Sequence, residues 1–465
     1  MMPFKYNPPT RTFCQVCEEL HINDVFNPIL ETHDGKASSA NNYPFHNWYN
    51  FVLGYSPQFP EYMLRREGIT NTDLVVDPFM GSGTTLVACK QLGLHSIGID
   101  ANDFMVDTAR IKLDWNLDVK ALRQCRDDLL QQIENLYAAY DWETELEFAG
   151  QLSLFSTLGK VRRNYRPILE DQRPEMLSER YISDKPLARA MLIDRIINAR
   201  FAESPFKPLF DLALTALIVP ISNVRYGPGF GVIKPREDAD VMGVYASKLN
   251  RMVEDLAAVS DVQKRTSSDV LLGDSRNLSS YIEPNTASLM ITSPPYPGDH
   301  EYTKHTRLEL IFRGYASNNE EFQTIKRRML RASTTNIYKE DNDKQPIIGL
   351  KSIQKITNLI QERLEHDGAT SGFEKLYTKL VWEYFGGMYK ALKESYHVLQ
   401  SGGKIALLVS DSHAFKMVHI QTAAILQEIG IMVGFVEPEI VPWQLKPSTS
   451  HKYWLRENIL ILKKP

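Results

Sequence analysis

Leu74-Val75-Val76-Asp77-Pro78-Phe79-Met80-Gly81-Ser82-Gly83-Thr84-Thr85 reads as a strand, a tight glycine turn and the start of a helix. The helix-like stretch Thr84 to Leu92 leads to a second apolar run, His95–Ile99, which gives the βαβ pattern of a parallel sheet. Glycines in such a turn let a ligand approach the backbone, and the free N–H groups of the helix's first turn attract an anion. The turn is not a phosphate-binding P-loop, because no Lys follows the last glycine, and it lacks the full G-x-G-x-x-G spacing. Taken alone, Gly-Ser-Gly is more often a plain βα turn than a cofactor site.

Working outward, five more apolar runs read as strands: Val270–Leu272, Ser288–Ile291, Lys404–Val409, Met432–Val436 and Asn458–Leu462. The amphipathic segment Phe373 to Leu399 reads as a helix stopped by Ser401-Gly402-Gly403, and Ile420 to Ile429 as another closed by a glycine. The last two strands have no helix between them and should pair antiparallel. The expected fold is α/β, with a seven-stranded, mostly parallel sheet, an antiparallel terminal strand and helices on both faces. Residues 111–265 look largely helical, with a charged face over Lys120 to Asn135 and an apolar helix over Leu209 to Pro220. Residues 299–372 are polar and mixed in charge. Both stretches are too long for plain loops and read as inserted subdomains. The organisation is then an N-terminal extension (1–40), core segments at 41–110, 266–298 and 373–465, and insertions at 111–265 and 299–372.

The chain has 465 residues and a formal net charge of −4, so charge alone would not bind it to nucleic acid. Its longest apolar run, Leu209 to Ile221, is too short for a bilayer and is interrupted by Asp211 and Pro220. No N-terminal apolar signal follows Met1, and four cysteines fit a reducing cytoplasm, so a cytoplasmic location without membrane association is expected. Cys14 and Cys17 form a C-x-x-C pair, but with His21 they make only three candidate ligands, and no metal site is expected.

Three acids end three strands. Asp77 ends the first, Asp100 the second (Ser96-Ile97-Gly98-Ile99-Asp100) and Asp274 the third (Leu272-Gly273-Asp274-Ser275). Open α/β sheets bind ligands at the carboxyl ends of their strands, and an acid there can accept from ribose hydroxyls. Each could also be a helix N-cap. After the fourth strand comes Ser293-Pro294-Pro295-Tyr296. Consecutive prolines cannot continue a ladder, so the chain leaves the strand as a stiff ledge. That ledge presents a hydroxyl, a carbonyl and an aromatic face, a set suited to a planar ring carrying an amino group.

Together, the D-P-F-x-G-S-G-T-T turn and S-P-P-Y resemble the S-adenosylmethionine-dependent amino-methyltransferases that act on exocyclic amines of DNA bases. The resemblance covers a Rossmann-like core of roughly 41–110, 266–298 and 373–465, including a cofactor-contacting segment matched to Phe51 through Pro60 with Tyr55-Ser56-Pro57. It implies that Asp77, with Pro78, Phe79, the Gly81-Ser82-Gly83 backbone and Thr84, holds the methionine end of S-adenosylmethionine. It implies the ribose at Asp100 and the adenine at Asp274 and Ser275. Tyr55 and Ser56 would join that binding site. Ser293 and the Pro294 carbonyl would accept from the target amine, Pro295 would stiffen the ledge, and Tyr296 would stack on a flipped base.

The chemistry is consistent with this. An aromatic amine is a poor nucleophile, and two acceptors on its hydrogens stabilise the charge that develops during attack. Methylation at cytosine carbon 5 needs a thiolate, which the related family supplies in a Pro-Cys pair, and none of Cys14, Cys17, Cys89 or Cys125 follows a proline. Within the family, Ser at the first ledge position is commoner for cytosine N4, and Asp or Asn for adenine N6. The resemblance thus implies a cytosine-N4 enzyme, with adenine N6 as the alternative and an RNA or protein amide methyltransferase behind both.

The partner implied is double-stranded DNA, with a cognate restriction or defence component by association with the family. Candidate DNA contacts are Arg162, Arg163 and Arg166, Arg225 (in Arg225-Tyr226-Gly227-Pro228-Gly229-Phe230), and Lys326, Arg327 and Arg328. Each such cluster is more often a solvated face than a binding site. Either insertion could read the DNA sequence.

Overall fold

The structure is a computed structural model that describes residues 43–142, 163–172, 174–226, 230–259, 261–298, 301–368, 372–447 and 454–465. The extension 1–40 with Cys14, Cys17 and His21, the stretch from Lys160 to Arg162, and Gly227 to Gly229 lie outside the described residues.

The main sheet consists of β1 (Leu74–Asp77), β2 (His95–Asp100), β3 (Ser268–Leu272), β4 (Ala287–Thr292), β5 (Leu399–Ser410), β6 (Val436–Pro447) and β7 (Trp454–Lys463). Its order is β6-β7-β5-β4-β1-β2-β3. β2 runs parallel to β1 and β3, and β4 runs parallel to β5. β7 is antiparallel to both β5 and β6. The antiparallel strand is therefore the last in sequence, as expected, and it is inserted between β5 and the edge strand β6. This is a Rossmann-like methyltransferase sheet. The described residues fall into two compact units. One holds those of Ala40–Asp274 with Glu301–Met329, and the other those of Ser275–His300 with Leu330–Pro465.

The first unit carries β1 to β3 with α1 (Gln58–Arg66), α2 (Thr84–Gln91), α3 (Asp103–Leu113), α4 (Val119–Ala138), α5 (Asp184–Arg200), α6 (Lys207–Thr215), α7 (Val241–Ala257) and α8 (Asn319–Arg328). Side chains cap several of these helices: Asn102 accepts from Phe104 N, Asp118 from Lys120 N and Ala121 N, and Asp240 from Gly243 N. The apolar stretch over Leu209 to Pro220 is not one helix. α6 stops at Thr215 and a single turn, Ile218–Ile221, follows, because Pro220 has no N–H and its ring would meet the carbonyl four residues back. Phe210, Tyr245, Leu249, Leu187 and Ile193 are fully buried in this unit's core.

The second unit carries β4 to β7 with α9 (Lys351–His366), α10 (Tyr377–Val398) and α11 (Thr422–Val433). Two sequence expectations change here. Ser401-Gly402-Gly403 does not stop α10, which ends at Val398. The three residues lie in β5, where the register against β4 shifts between Ala287↔Leu399 and Leu289↔Lys404. Met432–Val436 is not a strand either. α11 continues through Gly430, closes on Gly434 at φ 119°, and β6 starts at Val436. A short, continuously apolar run has no period to separate helix from strand. The left-handed backbone at Gly434, which a Cβ would oppose, sets the stop.

Candidate active site

In the first unit, Val75 and Val76 bury β1 and deliver Asp77 to its carboxyl end with no exposed surface. The Tyr55 hydroxyl donates to Asp77 Oδ2 at 2.9 Å and lies 2.5 Å from Thr85 Oγ1, while Phe79 N donates to Asp77 Oδ1 at 3.1 Å. Burial, with the Asp77 charge behind it, pushes the Tyr55 phenol well up, so it stays a donor. Ser56 Oγ accepts from Gln58 N at 3.4 Å, beside the start of α1. Pro78 and Ser82 are buried, and Phe79 and Thr84 half-buried, around the turn.

The turn is bound to the next strand. Gly81 N donates to Asp100 Oδ2 at 2.9 Å, Met80 N to the Ile99 carbonyl at 3.1 Å, and Asn102 N to Asp100 Oδ1 at 2.8 Å. Gly83 has φ 85°, and a Cβ there would lie 3.0 Å from that of Ala109, so both backbone and packing require glycine. The N-cap of α2 is Gly83, which has no side chain to cap the helix, and a helix N-terminus favours an anion. Burial pushes the Asp100 carboxyl up to about 6, against the pull of the Asn102 and Gly81 N–H groups, and the nearby Asp77 charge adds to the rise. Asp274 is half-buried just after β3, and Ser275 is buried at the head of a short 3-10 turn, Ser275–Ser280. An acid for an ammonium, a helix N-terminus for a carboxylate and an acid for hydroxyls fit S-adenosylmethionine.

In the second unit, β4 is buried along almost its whole length and ends at Thr292. Ser293 Oγ donates to the Leu408 carbonyl at 3.1 Å and lies 3.2 Å from the Tyr296 hydroxyl. That hydroxyl donates to Glu457 Oε1 at 3.1 Å. The Pro294 carbonyl accepts no hydrogen bond from the described residues. Pro294 is buried, and Pro295 and Tyr296 are half-buried. The ledge is held from beyond by Ser412 Oγ, which donates to the Pro297 carbonyl at 3.0 Å.

The basic candidates separate. Arg166 at a helix start, Arg225 on the hairpin Val224–Tyr226/Phe230–Val232 and Arg327 on α8 are exposed. Lys326 is not available to DNA. It is 6% exposed and faces Glu301 at 3.5 Å, because its place on α8 turns it inward. Arg328 is half-buried and paired with Asp103. Arg163 lies in a two-residue strand, Arg163–Asn164, and Arg162 falls outside the described residues. Cys89 is fully buried, and burial pushes its thiol up, so it is no thiolate nucleophile. Among the described residues no helix is long and apolar enough to cross a membrane, and no cluster of three His, Cys, Asp or Glu could hold a metal.

Sequence reading missed Thr85 as a partner of Tyr55, and the Leu408 carbonyl and Glu457 as partners of the ledge. Thr85 stands inside the quoted turn and could have been found there. Glu457 lies 161 residues from Tyr296, and no local signal points to it.

A family model described as DNA methylase, covering N6 and N4 methyltransferases, matches residues 16–110. Type II methyltransferase M.BsoBI of Geobacillus stearothermophilus is 23% identical over 97% of this chain and 93% of its own length. M.MjaII of Methanocaldococcus jannaschii is 42% identical over 78 residues, 17% of this chain and 14% of its own. M2.DpnII of Streptococcus pneumoniae is 47% identical over 60 residues, 12% of this chain and 22% of its own. Both are also Type II methyltransferases, and these two likenesses span less than a quarter of either partner.

Proposed function

Because the chain belongs to the N4/N6 DNA amino-methyltransferase family, we propose that it methylates the exocyclic N4 amine of a cytosine taken out of double-stranded DNA. The observation that supports amine methylation is the pair of acceptors after β4: Ser293 Oγ, whose proton is given to Leu408, beside a Pro294 carbonyl that no described residue occupies. Ser rather than Asp or Asn at position 293 favours cytosine. The donor is S-adenosylmethionine. When bound, its sulfonium would supply the methyl carbon, the amine nitrogen forming the C–N bond as the C–S electron pair returns to sulfur and the methylated nitrogen releasing one proton to solvent.

The chain's own residues bind and orient. Asp77 takes the ammonium of the methionine end, the α2 N-terminus its carboxylate, Asp100 the ribose hydroxyls, and Asp274 with Ser275 the adenine. Ser293 and Pro294 accept the two amine hydrogens, which disposes the nitrogen lone pair for attack. Tyr296 stacks on the flipped base, and base–aromatic stacking of about 1–3 kcal/mol offsets part of the cost of leaving the helix. Arg163, Arg166, Arg225 and Arg327 serve as phosphate contacts, with sequence reading assigned to the insertions 111–265 and 299–372. A cognate restriction or defence component is the expected companion.

The test is transfer of radiolabelled methyl from S-adenosylmethionine to duplex DNA, followed by nucleoside mass spectrometry. N4-methylcytosine is expected. N6-methyladenine overturns the choice of base, and label confined to RNA or protein overturns DNA as the substrate.

A further inference from the structure

Glu457 is 1% exposed on β7, and its carboxylate faces the ledge. Tyr296 donates to Oε1 at 3.1 Å, and Gln444 Nε2 donates to Oε2. The second contact is built by a register change. Pro442 pairs with Asn458 but Gln444 with Glu457, so Trp443 is the extra residue of a bulge that turns Gln444 onto the carboxylate.

The consequence lies in the direction of the hydrogen bonds. A hydroxyl has one proton to give and two lone pairs to offer, whereas an ionised carboxylate and a carbonyl only accept. Glu457 takes the Tyr296 proton, so that proton is not directed at Ser293, 3.2 Å away. The Ser293 proton goes to the Leu408 carbonyl. Both Ser293 lone pairs are thereby left for a donor from outside the protein.

We propose that Glu457 is a positioning residue that, through the Tyr296 hydroxyl, fixes the polarity of Ser293 so that its Oγ meets the target amine as an acceptor. This rests on the amine-methylation reading above. With Glu457 neutralised, the Tyr296 proton can turn to Ser293 and occupy a lone pair that the amine needs. The same contact fixes where the Tyr296 ring stands.

The experiment measures kcat and KM for DNA and S-adenosylmethionine in wild type, Glu457→Gln, Tyr296→Phe, the double variant, and Glu457→Gln with Gln444→Glu. Glu457→Gln should lower kcat about tenfold, with KM for S-adenosylmethionine unchanged, because the amide's N–H₂ meets that of Gln444 and the pair must rearrange. In the Tyr296→Phe background the same change should cost nothing more, since no tyrosine proton remains to be directed. Adding Gln444→Glu restores a donor–acceptor match and should recover most of kcat, including in a case where Glu457→Gln alone folds poorly. Wild-type kcat in Glu457→Gln, additive losses in the double variant, or no recovery on the exchange each overturn the proposal. A wild-type enzyme that places no methyl on a base amine overturns the underlying reading instead.

Discussion

The Tyr55 hydroxyl donates to Asp77 across 2.9 Å, tying the segment before α1 to the acid that ends β1. Asp77 has no exposed surface and therefore depends on such donors to remain an acceptor in a defined place. Hydrogen bonds to charged groups are worth about 1.5–3 kcal/mol. Tyr55→Phe should accordingly raise the Kd for S-adenosylmethionine about tenfold or more by titration calorimetry. An unchanged Kd would mean that Asp77 keeps its position without Tyr55.

Asp100 leads to a pH dependence. Its carboxyl is pushed up to about 6, mainly by burial. Ribose hydroxyls donate to the ionised form, so cofactor affinity should rise as pH climbs through 6 and level off above 7. Below the carboxyl's pKa the slope approaches about tenfold per pH unit. Asp100→Asn should bind more weakly at pH 7.5 and lose this slope. A wild-type Kd that is flat from pH 5 to 7.5 would exclude an ionised Asp100 from the ribose site.

On the acceptor side, Ser293→Ala removes one of the two groups proposed to hold the amine, and about a hundredfold loss of kcat is expected. Tyr296→Ala removes the stacking face and should cost about 1–3 kcal/mol in kcat/KM for DNA. Both variants should retain the wild-type Kd for S-adenosylmethionine, since neither residue belongs to the cofactor set. A matching loss of cofactor binding in either would reassign that residue.

How far the sequence reached follows from the range of the interactions. The βαβ start, the strand-end acids and the proline ledge are local patterns, and β1, α2, β2 and β4 lie within a residue or two of where those patterns put them. Gly83 was legible for the same reason, as a turn glycine beside a helix start. The Gly402-Gly403 pair and the run through Met432 were misread because both offer local signals that tertiary pairing overrides. One forms a register shift against β4, and the other completes a helix whose Gly430 packs on Leu462. Lys326 was misread because its cluster shows charge and not facing: its place on α8 buries it against Glu301. Glu457 was invisible, since only the antiparallel pairing of β7 brings it to the ledge.

Glu309 couples stability to pH. It is 1% exposed; Tyr49 donates to one carboxyl oxygen at 2.8 Å and Tyr226 to the other at 3.4 Å. Burial outweighs those hydrogen bonds and pushes its pKa up from 4.5 to about 7. The folded state therefore holds a proton that the unfolded chain has released. Its stabilising effect is complete below about 4.5, declines as pH rises, and is gone above about 7. The span corresponds to at most about 3 kcal/mol. Asp100, also raised, acts in the same direction, while His46, lowered to about 3 by burial, loses stability as pH falls from 6.5. Both backgrounds are shared by a variant that differs only at Glu309. Glu309→Gln keeps a neutral acceptor, so its thermal unfolding should gain on wild type from pH 5 to about 7 and level off by pH 8, in buffers of equal ionic strength. Parallel curves over that range would mean that Glu309 is already ionised in the fold and that Tyr49 and Tyr226 hold it so.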